Sequence, residues 1–497
     1  MRLTGLRKYY SSPAIFVLLP LFLISCKLAI APENEEESVE EMYAGRSRLN
    51  FQAVSMVNNK IYEVNAVLLA ENDACAVYGD PKEKILPSTA EKIAGEYKDR
   101  IALSITKAFG NCPAGKTVIL LLDIIDGYKN QGDAYTAGYF DLNNVFPKSL
   151  IKSSNEMPML YVDVNPGGPG TDQFYSTIAH ELQHLINFYS RYNRKNPSLE
   201  NITKQGELNA LIGSIMQDTW VDEGLSSAAE YIYNKASEKN RAGNWHIQDK
   251  INYYNNADIY YTKGQSKIAA GNNFFTWIND DFAYDEYITV YLFFQWLRIQ
   301  ADNDVDIYRS IIESEYTDYR AVIDAACRYI PRLFEGAEFD DREAWERILE
   351  TWFAANYINA PEKENAALGL FGYNSEFTLS PPMMSGKSIS LYPGDGVYSK
   401  LAGKTFAYPE SPAHIRYAAL GKTEIPLARI TQGTPGKGDA LLTFNANHDI
   451  TSIAAGPAET GVLADRETVP AEDPAPGRMA DLPATPRPID KRLPIRF

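Results

Sequence analysis

The sequence predicts an α+β fold. A small mixed sheet comes first, with one long helix packed behind it, followed by a mainly helical second half and a small β-rich C-terminal domain. Three observations carry this reading. Thr117–Ile125 (TVILLLDII) and Met159–Asp163 are strand-length apolar runs rich in aliphatic residues. The stretch Thr171–Ser190 contains no proline or glycine and repeats apolar residues at helical spacing. From Leu208 to about Ile358 the periodicity is helical, and beyond Leu370 it gives way to short alternating stretches.

Taken in order, the chain begins with a segment that does not belong to the fold. Arg2, Arg7 and Lys8 form a basic start, and Ala14–Ile24 is an apolar run too short to span a bilayer. It closes on Leu23-Ile24-Ser25-Cys26, which resembles the lipobox of bacterial lipoproteins. That resemblance implies a signal peptide over residues 1–25 and lipidation of Cys26. The domain would then be held outside the cytoplasm, in the cell envelope, by its N-terminal lipid. Residues 26–45 are an acidic tether, and Pro32–Glu41 is mostly acidic and solvated.

Ala66–Leu69 and Cys75–Val77 read as strands, and Ser88–Ala108 as a helix with its charges on one face. The two strands already named follow, separated by a loop containing Ala137-Gly138-Tyr139-Phe140-Asp141. The turn Asn165–Gly170 precedes the long helix, with Thr171 and Asp172 as N-cap candidates. Further helices are expected at Thr289–Gln300, Ile307–Ser314, Asp318–Ile330 and Arg342–Ile358, with a Tyr/Asn/Gly-rich loop at Asn252–Tyr287. Residues 46–369 thus form the main domain. Residues 370–463 form the β-rich one, with strands at Phe377–Leu379, Ser388–Leu391 and Leu441–Phe444. Seven prolines make 464–497 a disordered tail.

Charge excludes one class of partner. The chain carries −16, and loss of residues 1–25 removes three positive charges and no acid, leaving −19. Nucleic acid requires a basic surface, so none is expected as a partner. Beyond Cys26 there are Cys75, Cys112 and Cys327. The first two are the candidate disulfide in an oxidising compartment, and Cys327 is left over in an apolar helix.

The chemistry sits in Thr177-Ile178-Ala179-His180-Glu181-Leu182-Gln183-His184-Leu185-Ile186, an H-E-x-x-H pattern. Residues i and i+4 of a helix share a face, so His180 and His184 can reach one Zn2+ ion. Glu181 then lies beside the open coordination position, placed to take a proton from water. The chain has five histidines, and two fall at this spacing. Catalytic zinc takes three protein ligands. A metzincin would continue with Gly and a third His, where this chain has Asn187 and Ser190. His246, His414 and His448 are isolated.

The third ligand comes from a second motif. Trp220-Val221-Asp222-Glu223-Gly224-Leu225-Ser226-Ser227-Ala228-Ala229-Glu230 resembles the W-x-N/D-E-G helix of gluzincin peptidases, whose glutamate is a zinc ligand. The resemblance places that ligand at Glu223, with Glu230 as the fallback. Ser226, Ser227 and Glu230 are candidates to orient ligands from behind. The strand TVILLLDIIDGY, AGYFD, MLYVDV, TIAHELQHLINF, TWVDEGLSSAAEYI and YLFFQWL occur in this order. Together they resemble the hyicolysin family of bacterial metallopeptidases from about Asn65 to Ile358. That resemblance implies a zincin-like fold with His180, His184 and Glu223 on zinc and Glu181 as the catalytic glutamate.

The implied activity is that of a lipid-anchored zinc metalloendopeptidase acting on protein or peptide, with Glu181 as general base. A second donor for the oxyanion is needed. Aminopeptidase-like gluzincins take it from a tyrosine on the following helix. Here Tyr284 is the first candidate and Tyr287 the second; Tyr291 shares their face, and His246 is an alternative. Two rivals are a non-catalytic surface-binding lipoprotein on the same scaffold and a zinc exopeptidase. The first has no need of Glu181, and the second needs a terminus-binding group that the sequence does not display.

Overall fold

The computed structural model describes residues 39–130, 135–236, 245–262, 283–336, 338–360, 370–384, 389–401, 405–406, 414–421, 436–447 and 458–460, with 264, 266–271, 275 and 277. Gly45–Phe497 forms one compact unit and Met1–Ala44 another. Within the latter, α1 (Val39–Met42) is a single helical turn. Cys26, the expected signal segment, most of the tether and the proline-rich tail lie outside the described residues.

Six strands form the N-terminal sheet: β1 (Arg48–Val54), β2 (Ile61–Glu71), β3 (Cys75–Gly79), β4 (Thr117–Leu122), β5 (Gly138–Tyr139) and β6 (Met159–Asp163). Their order is β1-β2-β3-β4-β6-β5, with β3, β4 and β6 parallel and the other neighbours antiparallel. The sheet is therefore mixed. β4 is buried along its whole length, which is why it reads as an unbroken apolar run: central parallel strands are covered on both faces. Val118, Leu120 and Leu122 join Phe51, Ala66 and Tyr161 in one core. Ile119 and Leu121 are equally buried and point to the opposite face.

The sheet curls. Tyr139, on the last strand in the order, stacks on Tyr161 at 4.2 Å. Its hydroxyl accepts a hydrogen bond from Val54 N, on the first strand, at 3.1 Å. Six strands laid flat would hold those edges roughly 24 Å apart, far beyond a tyrosine's reach. Strand twist supplies the curvature that brings them together.

α2 (Pro87–Glu96) passes through a π turn at Tyr97–Ile101 into α3 (Ala102–Phe109), close to the bounds the sequence predicts. There follow α4 (Asp172–Lys195), α5 (Gln205–Ile215), α6 (Thr219–Ala236), α7 (Trp245–Asn255) and α8 (Ala257–Thr262). α9 (Ala283–Gln300), α10 (Asp306–Glu313), α11 (Tyr319–Tyr329) and α12 (Asp341–Ile358) complete the helical half. The loop expected from Asn252 is instead helical through residue 262, and α9 begins four residues before Tyr287. Asn and Tyr have low helix propensity, so composition hides these helices. Tertiary packing of Ile251, Tyr254 and Ala257, all buried, outweighs it.

In the C-terminal part β7 (Met383–Met384), β8 (Ile389–Leu391), β9 (Gly396–Lys400), β10 (Thr405–Phe406), β11 (Ile415–Leu420), β12 (Gly436–Lys437), β13 (Ala440–Asn445) and β14 (Ala458–Thr460) confirm β-rich structure. Four of them make the sheet β11-β13-β9-β7. It rests on α12, where the Phe353 ring lies 5.9 Å from that of Phe444. Gly396 allows the approach, since a Cβ there would stand 2.6 Å from the Phe353 ring. Phe377–Leu379, expected as a strand, is irregular. Side-chain amides take the place of a partner strand: Asn359 exchanges hydrogen bonds with Leu379 at 2.7 and 2.8 Å, and Asn255 donates to Thr378 O at 3.1 Å.

The cysteine expectation needs correction. Cys75, Cys112 and Cys327 are all free thiols. Cys75 is buried with its Sγ 3.9 Å from Ala94 O. The Tyr97 hydroxyl, which donates to Thr117 at 2.7 Å, interacts with both Cys75 and Cys112. Cys327 lies on the exposed side of α11 rather than in its apolar face. Among the described residues no helix is long and apolar enough to cross a membrane.

Candidate metal centre

α4 is well delimited. Thr171 Oγ1 accepts from Phe174 N at 3.2 Å as the N-cap, and Asn196 closes the far end in the left-handed conformation at φ 43°. Between them His180, Glu181, Leu182, Gln183 and His184 are all buried. The two imidazole rings stand 4.9 Å apart, one helical turn from each other.

α6 packs along α4 and brings Glu223 between them. His180, His184 and Glu223 offer ligand atoms that all lie within 4.8 Å of one another. Glu223 Oε2 is 3.2 Å from His180 Nε2 and 3.7 Å from His184 Nε2. The local sequence explains the position. Trp220 is fixed in an aromatic cluster, 5.4 Å from Trp345 and 5.5 Å from Phe275. Gly224 is required by α9: a Cβ there would stand 2.2 Å from the Phe294 ring.

Each histidine has a carboxylate at its back. Glu230 Oε1 is 2.8 Å from His180 Nδ1. Asp222 Oδ2 is 3.0 Å from His184 Nδ1. With acids at both Nδ1 atoms, a bound metal would leave the proton there and take each Nε2 lone pair. Glu230, the fallback ligand, therefore stands behind His180. Asn187 holds Asp222 in turn, donating to its Oδ1 at 2.6 Å and to Gln217 Oε1 at 3.0 Å. Ser226 spends its hydroxyl on backbone carbonyls of Asp222 and Glu223, each at 3.1 Å, so it orients no ligand side chain. Ser227 Oγ is buried without a hydrogen-bond partner among the described residues.

Of the tyrosines, Tyr287 reaches the cluster. It is buried, its ring lies 6.4 Å from that of His180, and its hydroxyl is within hydrogen-bond reach of the Glu223 carboxylate. Burial, then the charges of Glu223 and Glu181, hold its phenol well above the usual range. Tyr284, the first candidate, is half-buried and packs edge-on against Tyr253 at 5.2 Å. Tyr291 is buried under the ammonium of Lys250. The His246 side chain and all of His448 lie outside the described residues. His414 Nδ1 meets Arg342 Nη2 at 3.2 Å, away from this cluster.

The donors suit a divalent cation. Both oxygens of Glu181, Glu223 Oε1 and His184 Nε2 are buried without hydrogen-bond partners among the described residues. Orphaned groups of this kind are costly unless something satisfies them. Glu181, Glu223 and Glu230, all buried, and the partly exposed Asp222 also concentrate acidic groups in one place. Burial pushes Glu181 up to about 7, against the lowering influence of both histidines. Burial resists protonation of His184, yet Asp222 and Glu223 overcome it and push the group up to about 10. A cation among these atoms answers both the charge and the missing partners.

A strand edge lies beside the base. β5 pairs with β6 on one side and with no strand on the other among the described residues. At Gly138 a Cβ would stand 2.8 Å from Thr177 Cγ2, 3.0 Å from Tyr161 O and 3.2 Å from Glu181 Cγ. Glycine thus lets the strand pass directly over the glutamate.

Neither Asp222 nor Lys250 is among the site residues expected from the sequence. Asp222 had a usable signal in adjoining Glu223 on a buried helix. Lys250 lies on another helix, and nothing in its surrounding sequence announces its burial.

Fold and donor set together describe an α+β protein with three buried residues placed to hold a metal. No protein-family model matches the chain. It is 26% identical over 360 residues, covering 69% of each chain, to the neutral metalloprotease ShpI of Staphylococcus hyicus. A solved structure of native yeast LTA4 hydrolase is similar over 62% of this chain and 44% of that one, at 14% identity and a TM-score of 0.33.

Proposed function

We propose that this protein is a zinc metallopeptidase of the hyicolysin kind, an endopeptidase held at a bacterial envelope membrane by a lipid on Cys26. The observation that carries the reading is the convergence of His180, His184 and Glu223 beside a buried Glu181 whose oxygens have no hydrogen-bond partner among the described residues. The relationship to a metalloprotease supports a peptide substrate. The Leu23–Cys26 motif supports the anchor.

His180, His184 and Glu223 would hold the zinc. When bound there it supplies a Lewis acid that acidifies water and polarises a carbonyl. Glu181 takes the proton of the attacking water and passes one to the leaving amine. Tyr287 donates to the developing oxyanion. The edge of β5 that pairs with no strand among the described residues aligns an extended peptide beside Glu181 through main-chain hydrogen bonds. Glu230 and Asp222 hold the histidines in the tautomer that ligates.

The test uses the purified chain and its Glu181→Gln variant, each assayed for zinc content and for cleavage of an unfolded protein. One zinc per chain in both, with cleavage only in the wild type, is the expected result. Persistent cleavage by Glu181→Gln defeats the assigned mechanism. Fragments from within the substrate identify an endopeptidase, whereas stepwise loss from one terminus identifies an exopeptidase. Acyl-label incorporation that is lost in Cys26→Ser tests the anchor.

A further inference from the structure

The structure assigns to Lys250 a positioning role at the metal centre, and this inference rests on the metal-site reading above. Lys250 lies on α7, outside both motifs, and is 3% exposed. Lysine is rarely buried to this degree unless paired. Its Nζ is 3.4 Å from Glu230 Oε2 and 4.9 Å from the centroid of the Tyr291 ring. The other oxygen of the same carboxylate is 2.8 Å from His180 Nδ1. Glu230 therefore bridges a fixed ammonium and the back of a candidate ligand.

The two histidines are buttressed differently. Behind His184, Asp222 is held by the neutral amide of Asn187 at 2.6 Å. Behind His180, Glu230 is held by a full positive charge. His180 carries Glu230 at Nδ1 and Glu223 at Nε2, so without a cation behind it Glu230 would face a second carboxylate across one ring. Lys250 neutralises Glu230 from the side away from the ligand atoms. It thereby keeps Oε1 aimed at His180 Nδ1 and the Nε2 lone pair aimed at the metal position. It touches none of the three ligands and acts only through Glu230.

The test strips metal from the full chain and titrates zinc against a competing chelator. The proteins compared are wild type, His180→Ala, Lys250→Met, Lys250→Arg, Glu230→Gln and the double variant Glu230→Gln/Lys250→Met. Loss of Lys250 is expected to weaken zinc binding about 10–100-fold, the usual effect of removing a group behind a ligand. Lys250→Arg is expected to recover most of it. Adding Lys250→Met to Glu230→Gln should cost less than about twofold more, because coupled residues are not additive. Should Lys250→Met fail to fold, Glu230→Gln and the double variant still decide the matter. The double variant removes one charge of each sign and leaves no buried carboxylate stranded. Wild-type affinity in Lys250→Met, while His180→Ala has lost zinc, overturns the inference alone. So does a further tenfold loss in the Glu230→Gln background. A wild type without zinc, or a His180→Ala variant that keeps it, brings down the metal-site reading and the inference together.

Discussion

Asp222 Oδ2 stands 3.0 Å from His184 Nδ1, and the next residue in the chain, Glu223, faces Nε2 of the same ring. Two adjacent acids on α6 thus address opposite sides of one imidazole. On the proposed reading the first holds the ring from behind and the second would share the metal. Asp222→Asn is expected to keep the fold and to weaken zinc binding about 10–100-fold. Chelator competition measures this. Unchanged affinity would show that Asp222 does not position His184.

Tyr287, not Tyr284, is the tyrosine at the cluster. Tyr287→Phe is expected to leave zinc content at wild-type level and to lower kcat roughly 10²–10³-fold, the range for loss of an oxyanion donor. Tyr284→Phe should stay within about threefold of wild type, as expected for a group that makes no transition-state contact. Steady-state kinetics on one peptide distinguishes them, and the reverse order of effects would restore Tyr284.

Gly138 carries β5 over Glu181 with no room for a methyl group, the nearest atom being Thr177 Cγ2 at 2.8 Å. Gly138→Ala must displace either the strand edge or the glutamate. Misplacement of about 1 Å can cost on the order of 10²-fold in rate. Peptide hydrolysis is expected to fall by that order while zinc stays bound. Full activity in this variant would separate β5 from the reaction.

Much of this arrangement was legible from the sequence, for definite reasons. β6 was bounded residue for residue because all five positions are buried, and the start of α4 because an N-cap threonine precedes a break-free apolar repeat. The pairing of His180 with His184 follows from helical spacing alone. β1 escaped because only its second half is buried, so the alternation is incomplete. α7 and α8 escaped because packing outweighs the propensities of Asn and Tyr. Lys250 and Asp222 gain their places only when α4, α6 and α7 meet, a relationship that no local pattern encodes. The choice between Tyr284 and Tyr287 turned on tertiary packing, since the sequence sets both on one face of α9.

Asp163 offers a test of the scaffold under the site. It is 1% exposed, accepts from Ile124 N at 2.9 Å and from Gly167 N at 3.4 Å, and burial pushes it up to about 7. An acid raised in the folded state binds a proton there that the unfolded chain has already released. Its contribution therefore falls as pH rises from about 4 to about 7 and is level above that. Relative to Asp163→Asn, the wild type should lose on the order of 3 kcal/mol between pH 4 and 7.5. Denaturant melts of both proteins at the two pH values measure the difference. Identical pH dependence would remove Asp163 from the account.

Anomalous scattering at the zinc edge, from crystals of the full chain grown with zinc, tests the central claim most directly. The account predicts one strong peak per chain, bonded to Nε2 of His180, Nε2 of His184 and the carboxylate of Glu223, with Glu181 beside it and not bonded. A peak held by other residues, or none in a chain that cleaves peptides, would contradict it.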